Sequence, residues 1–366
     1  MSNDAKSVSG SYEAGLAGAA ETVAEFHEPE SLLKKLQHWL HQTPSAVPMI
    51  VLVVALVVFG LLASNFFKAA TLSTILQQIA IVGILGCAQT IVVLTAGIDL
   101  SVGAIAVFSS VLMGQMTFRY GLPAEFSIVI GLILGTAMGA LNGVLIARLK
   151  LPPFIVTLGT WQILLASNFI YSANETIRSS DIEAQAPALQ LWGKDVVFFA
   201  DAAVKNSGVK VLYAVFLMIL LVAIMAYVLR HTAWGRHVYA TGDDPGAAEL
   251  AGVPTKKVLI QVYALAGLFC AIAGWVMIGR FGSVSPTAST GQLGNIQSIT
   301  AVVIGGISLF GGRGSILGMF FGALIVGVFE MGLRLVGTDP QWTFFLIGVL
   351  IIFAVAVDQW IRKVAG

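Results

Sequence analysis

Neutral amides set in apolar stretches are the residues of this chain best able to do chemistry. Gln77, Gln78 and Gln89 fall in one such stretch, Asn142 in a second, and Gln162 and Asn168 in a third. Asn295 and Gln297 follow a hydroxyl-rich turn, Gly282 to Gly291. An amide offers donors and acceptors without charge, which suits a hydroxyl-rich solute and favours no ion. Polar groups are costly at membrane depth, so each needs a use. Tying helix to helix is the alternative use for any single one. Gln77, Gln89, Asp99, Asn142, Gln162, Asn295 and Gln297 are the candidates to line a solute path.

Two further constellations have a local logic. In Gly97-Ile98-Asp99-Leu100-Ser101-Val102-Gly103, Asp99 stands where its carboxylate can accept from the free amides of a following helix. Between His231 and Val258 lies the only long polar island of the second half, with Asp244 as a helix cap and Pro245 suited to the first helical position. Ala247, Ala248, Glu249, Leu250 and Ala251 propagate that helix and Gly252 can end it, giving about two turns, roughly 10 Å. A plain solvated loop is the other reading of these residues. Glu330 and Arg334, four apart on one face, are expected to pair near the outer surface.

Other chemistry is missing. The pair Gly193-Lys194 is followed by Asp195, so no phosphate-binding loop is present. Arg313 lies in a glycine-rich turn without the strand and helix of a nucleotide site. His27, His38, His41, His231 and His237 lack metal spacing, and no Gly-x-Ser-x-Gly elbow occurs. Cys87 and Cys270 sit in apolar runs, where no disulfide is expected. No Asp/Glu/His relay is embedded at mid-membrane, which argues against proton-driven transport.

The elements that must position these residues are membrane helices. Of 366 residues 57% are apolar and 11% charged, and mean hydropathy is +0.89, against about 25% charged in soluble chains. The net charge of +1 gives no reason to expect nucleic acid. Apolar runs place about ten spans in an all-α polytopic membrane protein, near 48–67, 72–96, 100–118, 125–147, 153–171, 209–230, 259–280, 296–311, 316–335 and 341–358. Lys and Arg cluster in the loops that an inward amino end makes cytoplasmic, so both ends are expected inside. Residues 1–47 form a cytoplasmic segment without a signal peptide, in which Leu32, Leu33, Leu36, Trp39 and Leu40 predict a helix lying on membrane lipid.

Residues 48–358 form the membrane domain and 359–366 a cytoplasmic tail. Residues 172–208, with Asp181, Glu183, Asp195 and Asp201, make a long external loop, which at that length binds something or folds locally. Gly131, Gly135, Gly139 and Gly143 line one helix face for close packing, and Gly318 and Gly322 repeat the spacing. Gly97-Ile98-Asp99-Leu100 is echoed by Gly306-Ile307-Ser308-Leu309. With opposite orientations expected for the two regions, the echo suggests an inverted repeat.

Four motifs resemble one family. They are Gly97 to Gly103, then Pro152-Pro153-Phe154-Ile155-Val156-Thr157-Leu158-Gly159-Thr160, then Gly305-Gly306 with Gly311-Gly312-Arg313-Gly314-Ser315, and the island with Trp234-Gly235-Arg236 and Ala240 to Gly252. Together they are similar to permeases of ATP-binding-cassette (ABC) monosaccharide importers, and among these the chain looks nearest to rhizobial fructose-type permeases. The resemblance implies a bacterial inner-membrane subunit present as two copies, with a cytoplasmic ATPase that uses the ATP and a periplasmic sugar-binding protein. No cofactor is expected on this chain, and it is expected to be no enzyme. The resemblance makes residues 231–258 the coupling loop, with Asp243, Asp244, Pro245, Ala247, Ala248, Leu250 and Gly252 facing the ATPase. Where the family often carries two carboxylates this chain has Asn295 and Gln297, which removes a charge-based role there. A permease for nucleosides or branched-chain amino acids and a self-sufficient carrier or channel stay open as alternatives.

Overall fold

The computed structural model describes residues 46–199 and 208–362. The expected surface helix around Leu32 to Leu40, Asp201 in the external loop, and residues 363–366 lie outside them. The helices are α1 (Ala46–Leu62), α2 (Ala69–Leu94), α3 (Val102–Phe118), α4 (Ala124–Leu149), α5 (Pro153–Ser172), α6 (Ser179–Gln185), α7 (Tyr213–His231), α8 (Ala233–Asp243), α9 (Pro245–Leu250), α10 (Thr255–Phe281), α11 (Ala288–Ile304), α12 (Ile316–Val336) and α13 (Pro340–Arg362). Six of them, α2, α4, α5, α7, α10 and α12, are long and apolar enough to cross a membrane; α1, α3 and residues 344–353 of α13 are apolar but shorter. The architecture is that of an all-α polytopic membrane protein.

α2 is the axis. Almost wholly buried, it packs against α10, α12, α11 and α7. Its inward side chains, Ile79, Ile84, Leu85, Ile91 and Leu94 among them, fill the main core. The outer helices turn Val53, Leu61, Phe126, Ile133, Ile163, Ile170 and Leu220 outward. An apolar exterior of this kind is stable only in lipid, because helices satisfy their own backbone and offer the acyl chains nothing polar.

The expected glycine face of α4 carries a close approach to α10. A Cβ at Gly139 would overlap the Tyr263 carbonyl and Gly267, and one at Gly267 would overlap the Gly135 carbonyl. Here α4 and α10 touch backbone to backbone. Gly322 and Gly318 of α12 are seated in the same way on Ala301 of α11 and on Gly305 just past its end.

The long external loop folds locally. Strand β1 (Asp195–Phe198) pairs antiparallel with β2 (Val209–Leu212), Asp195 opposite Leu212. A 3-10 turn, Pro187–Gly193, rests on the end of α10, where the Trp275 indole donates to the Ala188 carbonyl over 3.2 Å and Trp192 meets Trp275 edge to face at 5.2 Å. Ile182, Leu189, Ile278 and Val284 make a second small core beneath it.

Two expectations are corrected. The eighth predicted span, 296–311, is a helix from Ala288 to Ile304, after which Gly305 to Ser315 form a loop. The hydroxyl-rich residues Ser289 and Thr290 are helical because Gly291 packs directly on Gly103 of α3. The echoed tetrapeptides do not flank oppositely directed elements. Gln78 of α2 and Gln297 of α11 meet one carboxylate of α12, while further along the chain Gly312 bonds to Leu94, so α2 and α11 run the same way. This contradicts the orientation on which an inverted repeat was expected.

Candidate functional site

The polar island folds as two helices. Thr232 caps α8 by accepting from the Gly235 amide at 3.1 Å. Asp244 ends α8 and begins α9, its extended backbone (φ −147°) breaking the helix while its carboxylate accepts from the Gly246 and Ala247 amides at 2.9 and 3.0 Å. Pro245 takes the first helical position, and Gly252 leaves α9 at φ +85°. The Thr255 hydroxyl donates to Glu249 over 2.5 Å and the Val253 amide to the Ala248 carbonyl over 2.9 Å, so the rod is braced at both ends. Asp243, Asp244, Pro245, Ala247 and Gly252 are exposed, Leu250 is 93% exposed, and Ala248 is buried against the bundle.

α8 had no sequence signal beyond a capping threonine, and it joins α9 to the interior. The Tyr239 hydroxyl donates to the Gly314 carbonyl over 2.9 Å. A Cβ on Gly242 would overlap the Leu94 carbonyl and crowd the Gly312 amide, and the Gly312 amide itself donates to Leu94. The end of α2, the glycine-rich loop after α11 and the helix before α9 therefore share one contact point.

A chain of hydrogen bonds begins just beyond Leu94. The Asp99 carboxylate accepts from the Ser101 amide at 2.7 Å and the Ser101 hydroxyl at 2.6 Å. It bonds one residue ahead of α3 and not within its first turn. The cap comes from elsewhere: Asn295 of α11 accepts from the Gly103 amide and donates to the Leu100 carbonyl. Asn142 of α4 donates to the Ser101 hydroxyl at 3.0 Å and accepts from Thr160 of α5 at 2.6 Å. Asp99, Asn142 and Asn295 thus lie in one network that binds α3, α4, α5 and α11 together.

The other path candidates lie apart from it. Gln297 donates at 3.0 Å to Glu330, which also accepts from Gln78, and Arg334 stands 3.5 Å from the second Glu330 oxygen. The expected Glu330 and Arg334 pair is therefore present, with two amides added. Gln89 is fully buried, and neither amide atom has a protein partner. Gln77 is half-buried, and Gln162 points outward beside Ile163.

This arrangement, a lipid-facing helical bundle with a polar interior and a braced rod at one end, is that of a polytopic membrane protein, and comparison with known proteins places it among permeases. The chain belongs to the family described as the permease component of branched-chain amino acid transport systems, whose model matches residues 71–355. It is 63% identical over 366 residues to the fructose import permease protein FrcC of Rhizobium meliloti, covering 100% of this chain and 99% of that one. It is 33% identical over 321 residues to the ribose import permease protein RbsC of Escherichia coli K12, covering 88% and 94%. To the galactose/methyl galactoside import permease protein MglC of the same strain it is 32% identical over 323 residues, covering 85% and 92%. No solved structure matches the chain.

Proposed function

We propose that this chain is the membrane-spanning subunit of a bacterial inner-membrane ABC importer that carries a monosaccharide, with fructose as the solute. The observation that carries the proposal is the 63% identity, unbroken over the whole chain, to a fructose import permease. The reading includes ten spans with both ends cytoplasmic, two copies of the chain, a cytoplasmic ATPase resting on α9 and a periplasmic sugar-binding protein docking on the external segment around the β-ribbon. Nucleotide is used by the ATPase alone.

In this mechanism ATP-driven closure of the ATPase pair presses on α9. Because α9 is capped by Asp244 and backed by α8, the push passes as a displacement and is not absorbed by unwinding. It reaches Leu94 and Gly312 together, and from Leu94 the loop through Asp99 to Ser101, so the ends of α2 and α11 move as the bundle changes from inward-facing to outward-facing.

Reconstitution into vesicles with the ATPase and binding protein tests this. The expected result is ATP-dependent fructose uptake, outcompeted by fructose before ribose, galactose, nucleosides or leucine. Uptake competed by leucine would favour the amino-acid reading suggested by the family description, and uptake without ATP would favour a self-sufficient carrier. Replacing Asp244 and Pro245 together by glycine should leave insertion intact but uncouple ATP hydrolysis from uptake.

A further inference from the structure

Glu330 is treated above as half of an ion pair, and the pair does not account for its surroundings. Arg334, its neighbour one turn on, is 63% exposed at 3.5 Å, and exposed pairs of this kind contribute little. The oxygen that Arg334 does not face accepts from Gln78 and Gln297, which come from α2 and α11. Three helices thus bring a carboxylate and two amides to one place near the start of α2 and the end of α12. Arg280 of α10 also bears electrostatically on Glu330, but a carboxylate serving only as a counter-ion to two arginines has no need of two amides on one oxygen.

The amides of the deeper network spend donor and acceptor on neighbouring helices. At Glu330 the acceptor is a carboxyl group, and hydrogen bonds to its ionised form are about twice as strong as neutral ones. A carboxylate has lone pairs for two hydroxyl donors at once, and each glutamine adds an N–H and a carbonyl. That is the donor set that holds adjacent hydroxyls on a carbon ring. With no solute present, the same amides occupy the carboxylate and keep its desolvation compensated.

We propose that Glu330, with Gln78 and Gln297, forms a solute-contacting site in the permease, at which adjacent hydroxyls of the sugar replace the two amides on the carboxylate. The inference rests on the reading of the chain as a sugar permease and names the chemistry that selects the sugar within it.

The test uses the full importer in vesicles and compares uptake of fructose with that of a fructose analogue lacking one hydroxyl, the binding protein being the same throughout. In the wild type the ratio of the two rates is high. Glu330→Gln should cut fructose uptake by about tenfold, the loss of one hydrogen bond to a charged group, and should bring the ratio towards one. Gln297→Leu should move the ratio in the same direction, and it serves if Glu330→Gln fails to fold. Arg334→Gln should hold the ratio within about twofold of wild type, as expected for an exposed pair. A wild-type ratio in Glu330→Gln, with or without a lower yield of folded protein, would overturn the site and leave Glu330 a structural residue. Wild-type vesicles that take up no sugar would instead overturn the functional reading beneath it.

Discussion

The amide of Gly312 donates to the carbonyl of Leu94 over 3.0 Å, joining the loop after α11 to the last turn of α2. Gly242 lies against both residues. Three segments far apart in sequence therefore meet in backbone contact directly behind α9, where no side chain could bend to absorb a movement.

Gly242→Ala should act through this junction. The added methyl would fall on the Leu94 carbonyl and the Gly312 amide, both backbone, so neither can turn aside. An overpacking cost of about 1–3 kcal/mol is expected. Thermal unfolding in detergent should show a lower Tm, and ATP-driven uptake should fall more than the folded yield does.

Asp244→Ala removes both hydrogen bonds that start α9. Loss of such a cap costs about 1 kcal/mol, which frays a helix of six residues and barely touches the bundle. Global Tm should be unchanged, with uptake per ATP hydrolysed reduced. Asp244→Asn, which also caps, should restore it.

Labelling can place α9 relative to the membrane. Leu250 is 93% exposed whereas Ala248 on the same short helix is buried. Leu250→Cys should react quickly with an impermeant maleimide in inside-out vesicles and not in right-side-out ones, and Ala248→Cys should react slowly in both. Quick reaction of Leu250→Cys from the external side alone would invert the proposed topology.

Asn142→Leu keeps the volume and loses the bonds to Ser101 and Thr160. Stranding buried polar partners costs about 1–3 kcal/mol, so Tm in detergent should fall. The preference among sugars should persist, since on this geometry Asn142 joins helices.

Much of this arrangement was legible in residue types. Apolar runs marked the helices, the spacing of Gly135 and Gly139 marked a close crossing, and Asp244, Pro245 and Gly252 each sit in the role their chemistry predicts. Three things were not legible. α8 contains Gly235, Arg236 and Gly242 and reads as loop, and it is helical because Val238 and Thr241 are buried against the bundle. The start of α11 was hidden because its Gly and Ser residues suit a turn until α3 packs on them. The direction of each amide was also hidden: in a helix apolar on all sides, periodicity cannot say which face meets protein and which meets lipid. Gln162 faces outward and Asn295 inward for that reason.

The crossing of α4 and α10 limits where this protein can bend. With Gly139 set on Gly267, a slip of either helix by even one residue would drive alkyl groups into main-chain atoms, so the two must travel as a single stiff beam. Alternation between the two faces of the membrane then falls to contacts made through side chains, such as Met218 of α7 and Met319 of α12 against Gly83 and Gly86 of α2.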